Sequence, residues 1–256
     1  MYDITRIMKP GHFEVLLSLL PTPKQKKYGR KRCKKRSLIV GILQVLKLGV
    51  GWNDIHDCGV SDSSCYRYFK EIQRRGLLKN IFKLLSLEKT NVTECAADTN
   101  SITSFRFRHG VGYDGRHKKH ATKISLLTDK NGLPIDVSFG KGNRHDGSFL
   151  SDHLKNTRYR RKKIINLDKI YASLELRRNL RRSGTFVNMK TRANDYIRKI
   201  GPKFRLKEDK YKVRFLIEKT FSWIENFKRC KYRIDYLLSS YKAFIYLALI
   251  IILIRG

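Results

Sequence analysis

Asp98, Asp168 and Glu218 are the residues of this chain whose type and setting could do chemistry. Each closes or interrupts an apolar run: Glu94-Cys-Ala-Ala-Asp98, Lys163-Ile-Ile-Asn-Leu-Asp168 and Arg214-Phe-Leu-Ile-Glu218. A carboxylate in such a place needs a positive partner. Three that converge destabilise one another unless a divalent cation lies between them, and Mg²⁺ takes a few carboxylates together with waters and phosphate oxygens. Two such ions about 4 Å apart can activate a water or a 3′ hydroxyl and stabilise the leaving oxygen of an in-line phosphodiester displacement. Residue type alone leaves open a plainer reading, three unrelated surface or salt-bridged acids.

The surrounding charge points to a polyanion. The chain has 56 Lys and Arg against 22 Asp and Glu, a formal charge of +34, and at that density a compact domain repels itself unless a polyanionic partner relieves it. With 41% hydrophobic residues, 13 Tyr and 13 Phe, there is material for a core, which excludes a disordered basic tail. Five scattered cysteines without a Cys-x-x-Cys pair read as reduced thiols. No secretory signal is visible at the start, and a cytoplasmic, nucleoid-associated location is expected. The apolar run Ala243 to Ile254 is short of the roughly 20 residues of a membrane span, so a buried closing helix or strand is expected and no membrane partner.

Elements able to position the acids can be read from periodicity. Residues 1–90 read as helical: Leu38 to Leu48 forms an apolar helix, Gly49 and Gly51 break it, and a second helix starts near Ser61, whose side chain can cap it. That second helix carries Tyr66 and Arg67, and the pattern of helix, short Gly-containing turn and basic aromatic helix fits either a DNA-contacting helix-turn-helix or a packing subdomain. Ahead of it the stretch Lys24 to Arg36, with Arg30, Lys34, Lys35 and Arg36, reads as a phosphate-contacting arm or a flexible linker. Residues 91–256 change period. Strands are expected over Glu94 to Asp98, Ala121 to Thr128, Pro134 to Phe139, Lys163 to Leu167 and Thr185 to Met189, with a hairpin turn at Asp129 to Gly132, a helix over Ser173 to Arg182 and a long helix over 207–232. The sum is a mixed α/β sheet flanked by helices, with Asp98 ending or nearly ending the first strand, Asp168 following the fourth and Glu218 on the late helix.

Further motifs run through nearly the whole chain: Gly29-Arg-Lys-Arg32, Gly41 to Trp52, Cys65-Tyr-Arg-Tyr-Phe69, Asp98-Thr99, His120-Ala-Thr-Lys-Ile124, Asp129 to Pro134, Gly142-Asn-Arg-His-Asp146, Asp168-Lys-Ile-Tyr171 and Tyr211-Lys-Val-Arg214-Phe-Leu-Ile-Glu218. Together they resemble the insertion-sequence transposases with a DDE triad, in the group typified by insertion sequences four and five; the last motif matches that family's Tyr-x-x-Arg-x-x-x-Glu signature. The resemblance implies an RNase H-like catalytic domain behind a helical DNA-binding region. It also implies cleavage of double-stranded DNA at the element's own terminal inverted repeats and joining to target DNA. Asp98, Asp168 and Glu218 would hold Mg²⁺, or Mn²⁺ in its place, within a homodimer or larger assembly on DNA. Tyr211 and Arg214 would meet phosphates or bases near the scissile end, Lys123 would be a further phosphate contact, and His145 and Asp146 would hold a strand end against the site or act directly. Two departures stand against this. Glu225 occupies the place where the signature continues with a basic residue, leaving Lys219 or Lys228 to substitute, and Ile170 stands where glycine is common. They define an alternative, a degraded copy that binds DNA without turnover.

Overall fold

Alternation along the 94–103 segment places Cys95, Ala97, Thr99 and Ser101 on one face and Ala96, Asp98 and Asn100 on the other. In the computed structural model, which describes residues 3, 5, 7–23, 28, 31–106, 108–158, 160–171, 174–190 and 206–256, this segment is the centre of a six-stranded sheet. Residues 24–27 of the expected arm, Gly29, Arg30 and Ser173 lie outside the described residues.

The strands are β1 (Glu94–Thr103), β2 (Gly112–Asp114), β3 (Lys119–Asp129), β4 (Pro134–Lys141), β5 (Ile164–Leu167) and β6 (Phe186–Asn188). β3 pairs antiparallel with β1, β2 and β4, while β5 runs parallel to β1 and β6 parallel to β5. An antiparallel meander joined to two parallel strands on the other side of β1 is the RNase H-like order. Helices α5 (Gly147–Asn156) and α6 (Leu174–Arg182) supply Leu150 and Leu180 to the core on the face of Cys95 and Ala97, with Leu127, Ile165, Leu167 and Val187. The β3–β4 turn forms as expected: Gly132 has φ of +83° and Asp129 Oδ1 accepts from Asn131 N and Leu133 N, both at 2.9 Å.

Cα packing separates the chain into two units, residues 86–222 and residues 1–85 together with 223–256. They do not follow a single cut near residue 90, because the C-terminal segment packs with the N-terminal helices. The latter unit contains α1 (Pro10–Leu19), α2 (Lys35–Leu48), α3 (Asp62–Arg74), most of α4 (Leu77–Lys89), α9 (Lys228–Lys231) and α10 (Leu238–Arg255). The closing apolar run is therefore helical. α10 is long and apolar enough to cross a membrane by composition alone, but 72% of it is buried inside the protein, with Phe244 stacked on Phe69 of α3 at 4.5 Å.

Three local expectations change. Residues 49–61 connect α2 to α3 through a 3-10 turn at Trp52–Asp54, longer than the short turn the glycines suggested, and the tight turn instead joins α3 to α4 at Gly76, with φ of +64°. Ser61 precedes α3, but its hydroxyl bonds Ser64 Oγ at 2.9 Å and makes no helix cap. The long helix over 207–232 is three: α7 (Glu208–Tyr211), α8 (Val213–Glu225) and α9. α8 ends where Phe227 turns extended to bury its ring, and Lys47 Nζ donates to the freed Asn226 carbonyl at 3.1 Å.

Candidate active site

Asp98 lies in the middle of β1 instead of at its end, and the reason is the sheet. β1 continues to Thr103 along β3, whereas its parallel pairing with β5 stops at Ala97 opposite Leu167. Asp98 and Asp168 are the next residues on each strand, so they leave the parallel ladder side by side, about one strand spacing apart.

Glu218 comes from α8. Thr220, two residues on, donates to Gly132 O at 2.6 Å and so ties α8 to the β3–β4 turn. A Cβ on Gly132 would meet Leu216 O and Thr220 Oγ1 at 3.2 Å, so glycine serves both the positive φ and the close approach. α7 is tethered by Asn188, which donates to Lys207 O and accepts from Lys207 N, both at 2.9 Å.

Arg214 joins the acids. Its guanidinium lies 3.8 Å from Asp98 Oδ2 and 3.7 Å from Glu218 Oε1, over the rings of Tyr211 and Phe215 at 5.9 and 5.3 Å, and its buried Nε has no hydrogen-bond partner. Asp98 is pushed up to about 6, first by burial and then by Asp168 and Glu218, against the Thr99 N–H and Arg214. Burial likewise raises the Tyr211 phenol. Tyr211 ends α7, with the break at Lys212 between it and Arg214.

Among the described residues no three His, Cys, Asp or Glu side chains come close enough to hold one metal ion. Two of the expected three acids leave neighbouring strands side by side, and the third is reached through a guanidinium. The Asp98–Asp168 pair still suits a hard divalent cation: the donors are all oxygen, and one of them is desolvated with its charge incompletely balanced.

Lys123 is not placed as a phosphate contact. It is 8% exposed, and its ammonium donates to Asp146 Oδ1 at 2.7 Å and Arg144 O at 2.9 Å. Asp146 thus anchors the segment after β4 to β3, as expected of a residue holding a strand end. Behind it, Asp114 is held well below the usual carboxylate range: burial alone would raise it, but bonds from the Ser101 hydroxyl, the His117 ring and the His117 N–H, with Lys123 nearby, outweigh that. A lowered carboxyl adds stability above its unfolded value, near pH 4, and loses it as pH falls through the folded value. Asp114→Asn should therefore melt below the parent at pH 7, with the gap closing toward pH 2; a gap that does not change with pH would show that the charge contributes nothing.

In the helical unit, Tyr66 is exposed and edge-on to Trp52 at 5.3 Å, and Arg67, the next residue of α3, is exposed as well. Beside them an open cleft of about 740 Å³ is lined by Lys31, Arg32, Arg67 and the Ser61, Ser63 and Ser64 hydroxyls. The described part of the arm divides by role. Lys34 is exposed, Lys35 donates to Leu17 O and Leu20 O at 2.7 and 3.0 Å at the end of α1, and Arg36 pairs with Glu14 at 2.5 Å. Lys34→Ala should weaken DNA binding and lower its salt slope by about one. Lys35→Ala should instead cost about 1.5–3 kcal/mol of stability in urea titrations; equal effects on binding from both would contradict this division.

An RNase H-like sheet, with Asp98 and Asp168 at the point where its parallel strands β1 and β5 part, is the class of fold. The family model for a transposase DDE domain matches residues 97–253, and one described as "Putative transposase of IS4/5 family" matches residues 9–82. This chain belongs to the DDE-domain transposase family. It is 33% identical over 95 residues to an insertion element IS402 uncharacterized 16.2 kDa protein of Burkholderia cepacia, a match covering 33% of this chain and 64% of that protein. Among solved structures, the piggyBac transposase synaptic complex with hairpin DNA is similar at 15% identity and a TM-score of 0.40, over 72% of this chain and 47% of that one. The Mos1 transposase paired-end complex is similar at 14% identity and a TM-score of 0.27, over 79% and 80%.

Proposed function

We propose that this chain is a transposase that cleaves double-stranded DNA at the terminal inverted repeats of its own element and joins the ends to target DNA by in-line phosphodiester transfer. The observation that carries this reading is the placement of Asp98 and Asp168 at the point where β1 and β5 part, with Arg214 reaching from Asp98 to Glu218.

Asp98 and Asp168 would hold a divalent ion, Mg²⁺ or Mn²⁺, with Glu218 joining from α8. When bound, that ion offsets the paired carboxylates and the charge on the attacking and leaving oxygens. The chain's own groups do the rest. Arg214, between two carboxylates with an unsatisfied Nε, would take a scissile-end phosphate, while Tyr211, buried with its ring against the guanidinium, would hold Arg214 there instead of meeting the nucleotide. In the helical unit, Lys31, Arg32, Lys34 and Arg67, with Tyr66, form the surface proposed to grip the element end, in a cytoplasmic, nucleoid-associated protein that pairs both ends as a dimer or larger assembly. The test is nicking of a duplex bearing the element's inverted repeat, with and without Mg²⁺.

A second reading, a copy that binds without turnover, is favoured by Glu225, which ends α8 where the resemblance implies a basic residue. Inverted-repeat binding with no metal-dependent nicking under any divalent ion would select it.

A further inference from the structure

Beneath the Asp98 strand, on the face that packs against α5, lies a buried polar chain with no part in the chemistry above. Asp136 Oδ2 is 2.7 Å from His153 Nδ1 and accepts from Asn156 Nδ2 at 3.1 Å. His153 Nε2 is 3.0 Å from Ser125 Oγ, and Ser125 Oγ is 3.1 Å from the Asp98 carbonyl oxygen. His153 and Ser125 are fully buried, and Asp136 is 6% exposed. An Asp-His-Ser order suggests nucleophilic chemistry, but this serine faces backbone, not a cavity, so no substrate carbonyl or phosphate can reach it.

Such a chain is expensive to bury unless every member is bonded, and apolar residues would fill the same volume at less cost. What it supplies is a fixed end point. A hydroxyl carries one proton, so Ser125 gives it to Asp98 O or to His153 Nε2 according to the tautomer of the ring, and Asp136 with Asn156 fixes the ring. On the same face, the Tyr171 hydroxyl lies 3.1 Å from Thr99 Oγ1, and Tyr171 N donates to Asp168 O at 3.0 Å. The backbone bearing Asp98 and the turn bearing Asp168 are thus pinned from below by one set of polar groups.

We propose that Ser125, held by His153 and Asp136, is a positioning residue that sets where the Asp98 carboxylate stands relative to Asp168. The inference rests on the reading of these two acids as metal-binding. Outer groups of this kind typically change metal affinity or activity by about 10–100-fold when removed.

The test uses the full chain and its Ser125→Ala, Ser125→Thr and Asp98→Asn variants. It measures Mn²⁺ affinity by titration, metal-dependent nicking of inverted-repeat duplex, duplex affinity and the melting curve. Ser125→Ala should weaken Mn²⁺ binding and slow nicking by about 10-fold or more while duplex affinity and melting stay near the parent's, and Ser125→Thr, which keeps the hydroxyl, should recover Mn²⁺ binding. Parent-like Mn²⁺ affinity in Ser125→Ala, with Asp98→Asn having lost it, overturns the inference and leaves the transposase reading standing. A general fall in melting temperature and duplex affinity, with Mn²⁺ affinity unchanged, also overturns it, since Ser125 would then serve packing alone. A parent chain that binds no Mn²⁺ overturns both.

Discussion

Asp98→Asn is expected to cut metal-dependent nicking of inverted-repeat DNA by about 10³-fold or more and to leave DNA affinity nearly unchanged. The change keeps the shape of the side chain and an oxygen able to accept the Thr99 N–H, now at 2.8 Å from Asp98 Oδ1, and removes only the charge. A bound metal ion supplies several kcal/mol of transition-state charge stabilisation, and at 1.36 kcal/mol per tenfold the loss of one of its ligands reaches that range. Affinity for the duplex is proposed to rest elsewhere, on basic groups such as Arg67 and Lys34. Stability should not fall with activity. The Asp98 carboxyl is already disfavoured by burial and by Asp168 and Glu218, so a neutral side chain relieves a cost, and Arg214 keeps Glu218 as its partner. Gel assays of nicking beside melting curves check both parts. Unchanged nicking would remove Asp98 from the site, and collapse of the fold would show that the charge had a structural role.

The side-by-side placement of Asp98 and Asp168 was legible in the sequence because its signals are local. An acid following a short apolar run marks the carboxyl end of a buried strand, which holds for Asp168 after β5, whereas Asp98 follows only the stretch of β1 that pairs with β5. Lys123 shows the limit. A basic residue on a strand gives no hint of which face it takes, and only the fold reveals that Asp146 and Asp114 enclose it. Ser125, His153 and Asp136 were invisible for the same reason: each is ordinary in its own strand or helix, and the chain they form depends on three elements meeting. The break at Asn226 also had no local mark. It follows from Phe227 finding a buried place and from Lys47, distant in sequence, supplying a donor. The run after Ala243 announced its burial by composition, but not that it would close on the N-terminal helices.

That last pairing makes Asp235 the residue whose loss should cost the most stability. Arg229 grips it in a fork, Nε to Oδ2 at 3.0 Å and Nη2 to Oδ1 at 2.9 Å, with the two side chains 7% and 8% exposed. The same guanidinium donates to Val50 O at 3.2 Å and lies 5.4 Å above the Phe244 ring, which in turn stacks on Phe69. One ion pair therefore fastens the chain after α2, the turn before α10 and the centre of α3. Removing one partner of a buried pair strands the other charge, so Asp235→Ala should lose about 3–5 kcal/mol, whereas replacing both partners with apolar residues should cost far less. With two compact units in the chain, urea unfolding should show the loss in the transition of the helical unit while the sheet's transition moves little. Duplex binding should fail at lower temperature in step with that transition. Because residues 223–253 fall within the DDE-domain match and yet pack with the helices, truncation after Ser222 should reproduce the Asp235→Ala defect in a stronger form; a truncated chain that still bound duplex as tightly as the parent would show that the N-terminal helices stand without their closing segment.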